Sequence, residues 1–175
     1  MYLHHLIKLG HFLKSQGAGA QPVFAAAGGG KILQYVSATD DTERTTTSTS
    51  YVTASNTLTL VITPSATSSK ILIFGHWTGG SNGTGIRYNA TVQRDISGGT
   101  SNVELGSSGG GGLFSQEAAG STAAEHVMAC AITDSPSTTS ECTYNFKFKV
   151  QSGTGYMNYG GYGKIHSYAM EIDGS

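Results

Sequence analysis

The stretch ECTYNFKFKV at residues 141–150 decides the fold. In an extended chain successive side chains point to opposite faces, so Tyr144, Phe146, Phe148 and Val150 share one side. Thr143, Asn145, Lys147 and Lys149 share the other. This is a strand with one apolar and one polar face. The same period of two recurs on both sides of it. NTLTLVIT (56–63) places Leu58, Leu60 and Ile62 together, and GIRYNATVQRDI (85–96) places Ile86, Tyr88, Ala90 and Val92 inward. Arg87, Asn89, Thr91 and Gln93 then point outward.

Other runs fill in the pattern. KILQYV (31–36) opens the strand-rich region and KIHSYAMEI (164–172) closes it. KILIFGHWTG (70–79) reads as a central strand, and AEHVMACAIT (124–133), apolar on both faces, as a buried one. ATDDTERTTTSTS reads as a polar loop or edge strand, and SGGGGLFSQEAAGS as an exposed flexible loop. Turn chemistry separates the strands: Pro64 ends the run before PSATSS because it cannot donate to a ladder, and SGGT (97–100) suits a hairpin. The reading gives roughly eight to ten short strands and no helix after Gly30. The predicted fold is all-β, a β-sandwich with jelly-roll topology preferred and an extended N-terminal segment. Residues 1–30 are expected to form a docking segment and Gly/Ala-rich hinge, and residues 31–175 the sandwich.

Composition narrows the function classes. Of 175 residues only 12% are charged, against roughly a quarter in ordinary soluble proteins. There are 25 glycines, and Ser and Thr are abundant. Recurrent apolar runs argue against disorder. A net charge of −1 gives no electrostatic reason to bind nucleic acid or an anionic membrane. No apolar run approaches the roughly 20 residues of a membrane-spanning helix. The N-terminal MYLHHLIKLGHFLKS is broken by His4, His5, Lys8 and Gly10, so it lacks a secretory core. Leu3, Leu6, Ile7 and Leu13 fit helical spacing approximately, and with Phe12 they are the candidate docking residues.

No catalytic or cofactor signature is present in the sequence. Glu104, Glu117, Glu125 and Asp134 are too scattered to nominate as an acid/base pair, and the expectation is a non-enzymatic protein without cofactor or resident metal. Asp40, Asp41 and Glu43 are oxygen donors of the kind Ca²⁺ takes, although their spacing matches no known loop, and a solvated loop is the expectation. His4, His5 and His11 would need subunits meeting on an axis to form a metal site, and His76 and His166 read as ordinary strand residues. Cys130 and Cys142 flank DSPSTTS. In a simple hairpin they would face each other, whereas a connection crossing between sheets would separate them; two buried thiols are expected, with a disulfide as the alternative. Trp77 is read as a core residue, with stacking on a sugar as the alternative. The loop GYMNYGGYG is the candidate ligand site: Tyr156, Asn158, Tyr159 and Tyr162 lie at close spacing among glycines, and tyrosine offers an apolar face and a hydroxyl at small entropic cost. Subunit packing is the alternative role for it.

Four stretches in order carry a resemblance that spans residues 30–173. They are GKILQYVSAT (30–39), LVITPSATSSKILI (60–73), DSPSTTSECTYNFKFKV (134–150) and SYAMEI (167–172). Together they resemble a family of structural domains found at the C-terminal end of tailed-phage tail-fibre and tail-spike chains. FLKSQGAGAQPVF is similar to the linker that precedes such domains. The resemblance implies a virion structural protein, a homotrimeric head domain, contacts to other virion proteins through residues 1–30, and host-surface glycan or protein as a further partner. The short stretch ahead of the linker also fits a capsid decoration or head-fibre protein anchored by its N-terminus. A secreted carbohydrate-binding module is the alternative outside that class.

Overall fold

The computed structural model describes residues 11–26, 32–106, 111–117, 124–161 and 163–174. Backbone contacts divide the chain into two units, Met1–Gly30 and Lys31–Ser175. The segment expected to be a hinge is where the first unit turns. Strands β1 (His11–Lys14) and β2 (Val23–Ala26) form an antiparallel hairpin with Leu13 opposite Phe24. GAGA is its turn: Gly17 and Gly19 take positive φ, and Ala20 N–H donates to the Gly17 carbonyl. Helical spacing therefore does not carry into Leu13. Leu3, Leu6 and Ile7 lie outside the described residues.

The second unit contains β3 (Ile32–Asp40), β4 (Arg44–Thr46), β5 (Val52–Thr53), β6 (Leu60–Ile62), β7 (Lys70–Asn82), β8 (Arg87–Ile96), β9 (Val103–Glu104), β10 (Phe114–Glu117), β11 (Ala124–Asp134), β12 (Cys142–Val150), β13 (Thr154–Met157) and β14 (Ile165–Ile172). Two antiparallel sheets form, as the alternating patterns require. In the first, β8 and β12 are central, β9 and β10 flank β8, and β5 and β6 flank β12. In the second, β7 is central, β11 lies on one side of it, and β14 and β13 share the other, with β3 and β4 outside them. The chain crosses between sheets at β4–β5, β6–β7, β7–β8, β10–β11, β11–β12 and β12–β13. The protein is an all-β sandwich. No helix among the described residues is long and apolar enough to cross a membrane.

One hydrophobic core fills the space between the sheets. Tyr144, Phe146, Phe148 and Val150 of β12 and Tyr88, Ala90 and Val92 of β8 are all buried in it, as their period of two predicts. Trp77 faces them from β7, edge-on to Phe146 at 5.6 Å and to Phe114 at 5.2 Å. It is a core residue and offers no platform for a sugar. Small residues on the inner face of β7 make room for these rings. A Cβ at Gly75 would lie 2.5 Å from Phe146 Cε1, and one at Gly79 2.8 Å from the Tyr88 hydroxyl.

Two expectations need correction. Asn89, Thr91 and Gln93 point away from the core yet are buried. The segment read as a flexible loop supplies β10 and folds back over them: Gly111 accepts from Asn89 Nδ2 at 3.1 Å, and Leu113 N–H donates to the Ala90 carbonyl. Gly112 lies so close to Ala90 O and Tyr51 Oη, at φ +69°, that no side chain fits there. The second correction is β11, which is an edge strand buried on one face only, with Val127, Ala129 and Ala131 exposed on the other. The cysteines are the two buried thiols expected. DSPSTTS crosses between sheets, so Cys130 and Cys142 are buried free thiols on different sheets. Burial pushes the Cys130 thiol up to about 11.

The turns at the ends of the sandwich are held by buried carboxylates. Glu171 is 0% exposed and accepts from Ser65 N–H at 2.6 Å, Ser69 Oγ at 2.7 Å, Ser65 Oγ at 3.0 Å and Gln34 Nε2 at 2.7 Å. It thereby fastens the PSATSS turn to the last strand and to β3. Asp134 takes Arg94 Nη1 at 2.6 Å and the Tyr144 hydroxyl at 2.8 Å, tying β11 to β8 and β12 across the sandwich. Burial and the adjacent Asp134 carboxylate raise the Tyr144 hydroxyl well above its ordinary value.

Replacing Gly75 with alanine is expected to lower stability by about 1–3 kcal/mol, since the added methyl must displace the Phe146 ring. Urea unfolding reads this as a lower midpoint at unchanged slope. A midpoint equal to wild type would mean that Phe146 does not pack on β7 there.

Candidate functional site

The tyrosine loop joins β13 to β14, and its shape comes from Asn158. That residue sits at φ +55°, in the left-handed region that asparagine tolerates better than most side chains. Its N–H donates to the Thr78 carbonyl at 2.8 Å, its Nδ2 donates to the Gly163 carbonyl at 3.0 Å, and its Oδ1 accepts from Gly163 N–H at 3.2 Å. Asn158 is 1% exposed, so its amide closes the loop instead of facing a ligand. Tyr156 and Tyr159 meet edge to face at 4.8 Å, and Tyr159 is 40% exposed. Tyr162 lies outside the described residues.

This loop lies against the acidic segment after β3. Gly160 N–H donates to Glu43 Oε2 at 2.6 Å, and Arg44 pairs in register with Met157 at the end of β13. Asp40 is buried and saturated. It accepts from Ser55 Oγ, from Thr57 Oγ1 at 2.8 Å, from Thr42 N–H at 2.9 Å and from Arg44 Nη2 at 3.0 Å. Burial alone would raise its pKa, but the bonds from Ser55, Thr42 and Thr57 outweigh that and hold the carboxyl well below the usual range. A lowered folded pKa means that the unfolded state binds the proton more readily. Asp40 therefore contributes stability above its unfolded value of about 4, and loses it as pH falls below that. Asp40 and Glu43 serve different partners, and no group of three metal-ligating side chains occurs among the described residues.

Beside these groups is an open pocket of about 300 Å³ lined by Thr39, Asp41, Thr42, Arg44, Thr57 and Lys164, with Asp40 at its wall. The site thus combines fixed charges, hydroxyls and a nearby exposed tyrosine ring, a set suited to hydrogen-bonding a hydroxyl-rich surface. Arg44 and Lys164 belong to it and were not singled out by sequence. DDTER places Arg44 four residues after Asp40, but only strand pairing brings Lys164 near. A second pocket, of about 290 Å³, opens on the outer side of the first sheet between Arg87, Lys149, Asn89, Gln151 and Thr49. Lys149 is held there over the Tyr51 ring at 4.3 Å, and Arg87 pairs with Glu117 at 3.2 Å.

The docking candidates fall on the first unit. Phe12 and Leu13 are in β1, and Leu13 is exposed, as are Val23 and Phe24 on β2.

No protein-family model and no curated protein matches the chain. Among solved structures it is similar to the VP2 subviral particle of infectious bursal disease virus, at 13% identity and a TM-score of 0.48, over 95% of this chain and 39% of that one. It is also similar to the Gx strain of that virus, at 11% identity and 0.44, over 93% and 44%. The T13 particle of the same virus gives 11% identity and 0.42, over 94% and 42%. The chain spans about two-fifths of the length of those structures.

Because Asp40 is saturated by protein donors, adding Ca²⁺ or EDTA is expected to leave the melting temperature unchanged. Asp40→Asn, which places an amide N–H₂ against those donors, is expected to cost about 2 kcal/mol at pH 7. A melting temperature that rises with Ca²⁺ would contradict this assignment.

Proposed function

We propose that this chain is a non-enzymatic virion structural protein whose sandwich is a head domain of the tail-fibre or spike type, self-associating and displayed at the particle surface. The observation that carries the reading is where the resembling stretches fall in the structure. Gln34 from the first, Ser65 and Ser69 from the second and Glu171 from the fourth meet in one clamp. Asp134 and Tyr144 of the third form another. The stretches that carry the resemblance are thus the ones that secure the turns, which supports a domain carried for assembly and display.

Within that reading, host-surface attachment falls to the Tyr156–Tyr159 pair and the adjoining pocket, with a glycan or protein as the partner. Capsid decoration is kept as a second reading on one observation. The β1–β2 hairpin exposes Leu13, Val23 and Phe24, and an isolated two-stranded hairpin is marginal in water. Docking of Leu13 and Val23 on another virion protein would anchor the chain through its first unit.

Immunogold labelling of native particles with an antibody against residues 31–175 tests the reading. Label at tail tips is expected for the fibre role, and label over the head would select decoration. Particles without label would overturn the virion assignment. If the tips are labelled, Tyr159→Ala is expected to reduce adsorption to host cells at least ~10-fold, because an exposed aromatic anchor carries more than its share of a binding surface. Its melting temperature should stay at the wild-type value.

A further inference from the structure

Among the described residues of the second unit nothing covers the outer face of the second sheet, and its character is unusual for a surface. Its centre is apolar and aromatic. Leu72 and Phe74 of β7 lie beside Met170 and Tyr168 of β14, in register and only partly covered. On the β3 side, Tyr35 stands opposite Met170 and is 54% exposed, with Leu33 exposed beyond it. On the β11 side, Val127 is 79% exposed, followed by Ala129 and Ala131. A row of rings runs across the face: His76 stacks on His166 at 5.1 Å, His166 on Tyr168 at 6.2 Å, and Tyr168 on Tyr35 at 6.0 Å.

Charge is missing from it. Over Leu33–Thr39, Leu72–Thr78, Val127–Thr133 and His166–Ile172, the outward side chains among the described residues include no carboxylate, lysine or arginine; Lys70 stands at the margin. Both edges of the sheet share this property. Neither β3 between Ile32 and Thr39 nor β11 between His126 and Thr133 carries the lysine or proline that normally protects an open edge.

We infer that this face is buried against a second copy of the same chain. Charge argues for that occupant. The face offers a charged partner nothing to pair with, and its aliphatic side chains offer a saccharide few hydrogen bonds. Two such faces meet without a like-charge contact or a buried unpaired ion. Size agrees. Four columns of strand about 4.8 Å apart, each about 23 Å long over the seven residues named, give on the order of 450 Å² of projected area. A stable interface buries roughly 800 Å² per partner, of which the sheet face would be the centre and the flanking loops the rim. The pattern of AEHVMACAIT agrees: the face turned from the core stays apolar at Val127, Ala129 and Ala131 although the single chain leaves it open. The inference rests on the self-association in the proposed function and not on a place in a virion.

Sedimentation velocity of the full chain tests it, with Tyr35→Lys and Val127→Lys combined. Both side chains point to solvent in the single chain, so the variant should keep the wild-type circular dichroism spectrum. Wild type is expected to sediment above the single-chain mass, and the double variant to dissociate at least ~100-fold more readily. Lys147→Glu, on the outer side of the other sheet, should change assembly less than about threefold. Hydrogen exchange on wild type gives a readout free of any variant's folding: amides of β3 and β11 should gain protection on concentration. A wild type that stays a single chain at about 100 µM would overturn the inference, as would assembly that survives both lysines. Unlabelled particles in the immunogold experiment would remove the virion reading and leave this one standing.

Discussion

The sandwich depends on the Glu171 carboxylate, buried at the end of the last strand where no water reaches it. An ionised carboxylate in that position is tolerable only if its lone pairs are filled. Here Ser65, Ser69 and Gln34 fill them, drawing donors from two separate parts of the chain, the PSATSS turn and β3. Burial by itself would raise the Glu171 pKa; the donated hydrogen bonds reverse that and lower it. The balance makes the anion the folded form. Because one charge organises the start of β3, the turn into β7 and the end of β14, three segments far apart in sequence must close together.

The same device explains a composition that looks too poor in charge for a soluble protein. Abundant Ser and Thr are the donor supply, and the few carboxylates are the acceptors. Asp40 gathers Ser55, Thr57, Thr42 and Arg44; Asp134 gathers Arg94 and Tyr144; Asp95 takes Asn102 N–H and Asn145 Nδ2. Hydrogen bonds to a charged acceptor are worth roughly twice those between neutral groups. Asp40, Asp134 and Glu171 are buried as acceptors, and the outward face of the second sheet carries no carboxylate, lysine or arginine over residues 33–39, 72–78, 127–133 and 166–172. A sheet face without charge then becomes available for a like surface.

The inner faces of the strands were legible because period two states directly which side chains are apolar, and Tyr144 through Val150 needed nothing more. The outer faces were not, since period says nothing about what lies over the polar side. Alternation places Asn89, Thr91 and Gln93 outward and says nothing of Gly111, Gly106 and Glu104, which adjoin them in turn. Val127 is the converse case, because an apolar residue on both sides of a strand does not reveal whether its cover belongs to the same chain. At the candidate site, the close spacing of Tyr156 and Tyr159 in sequence is matched by their ring contact. The structural work of Asn158 was hidden, since its amide serves a glycine five residues on and leaves no pattern in the sequence.

The central claim is that an ionised Glu171 and its hydroxyl donors hold the turns of the sandwich. Urea unfolding of wild type and Glu171→Gln across pH tests it most directly. The depressed folded pKa means that the unfolded state takes up the proton first, so the carboxylate's contribution is complete at neutral pH and drains away below about pH 4.5. The account predicts that the variant is less stable by about 3 kcal/mol at pH 7, the loss expected when a charged acceptor is removed from buried donors, and that the two curves converge as pH falls below that value. Equal stability at pH 7, or a gap that stays constant into acid, would contradict it.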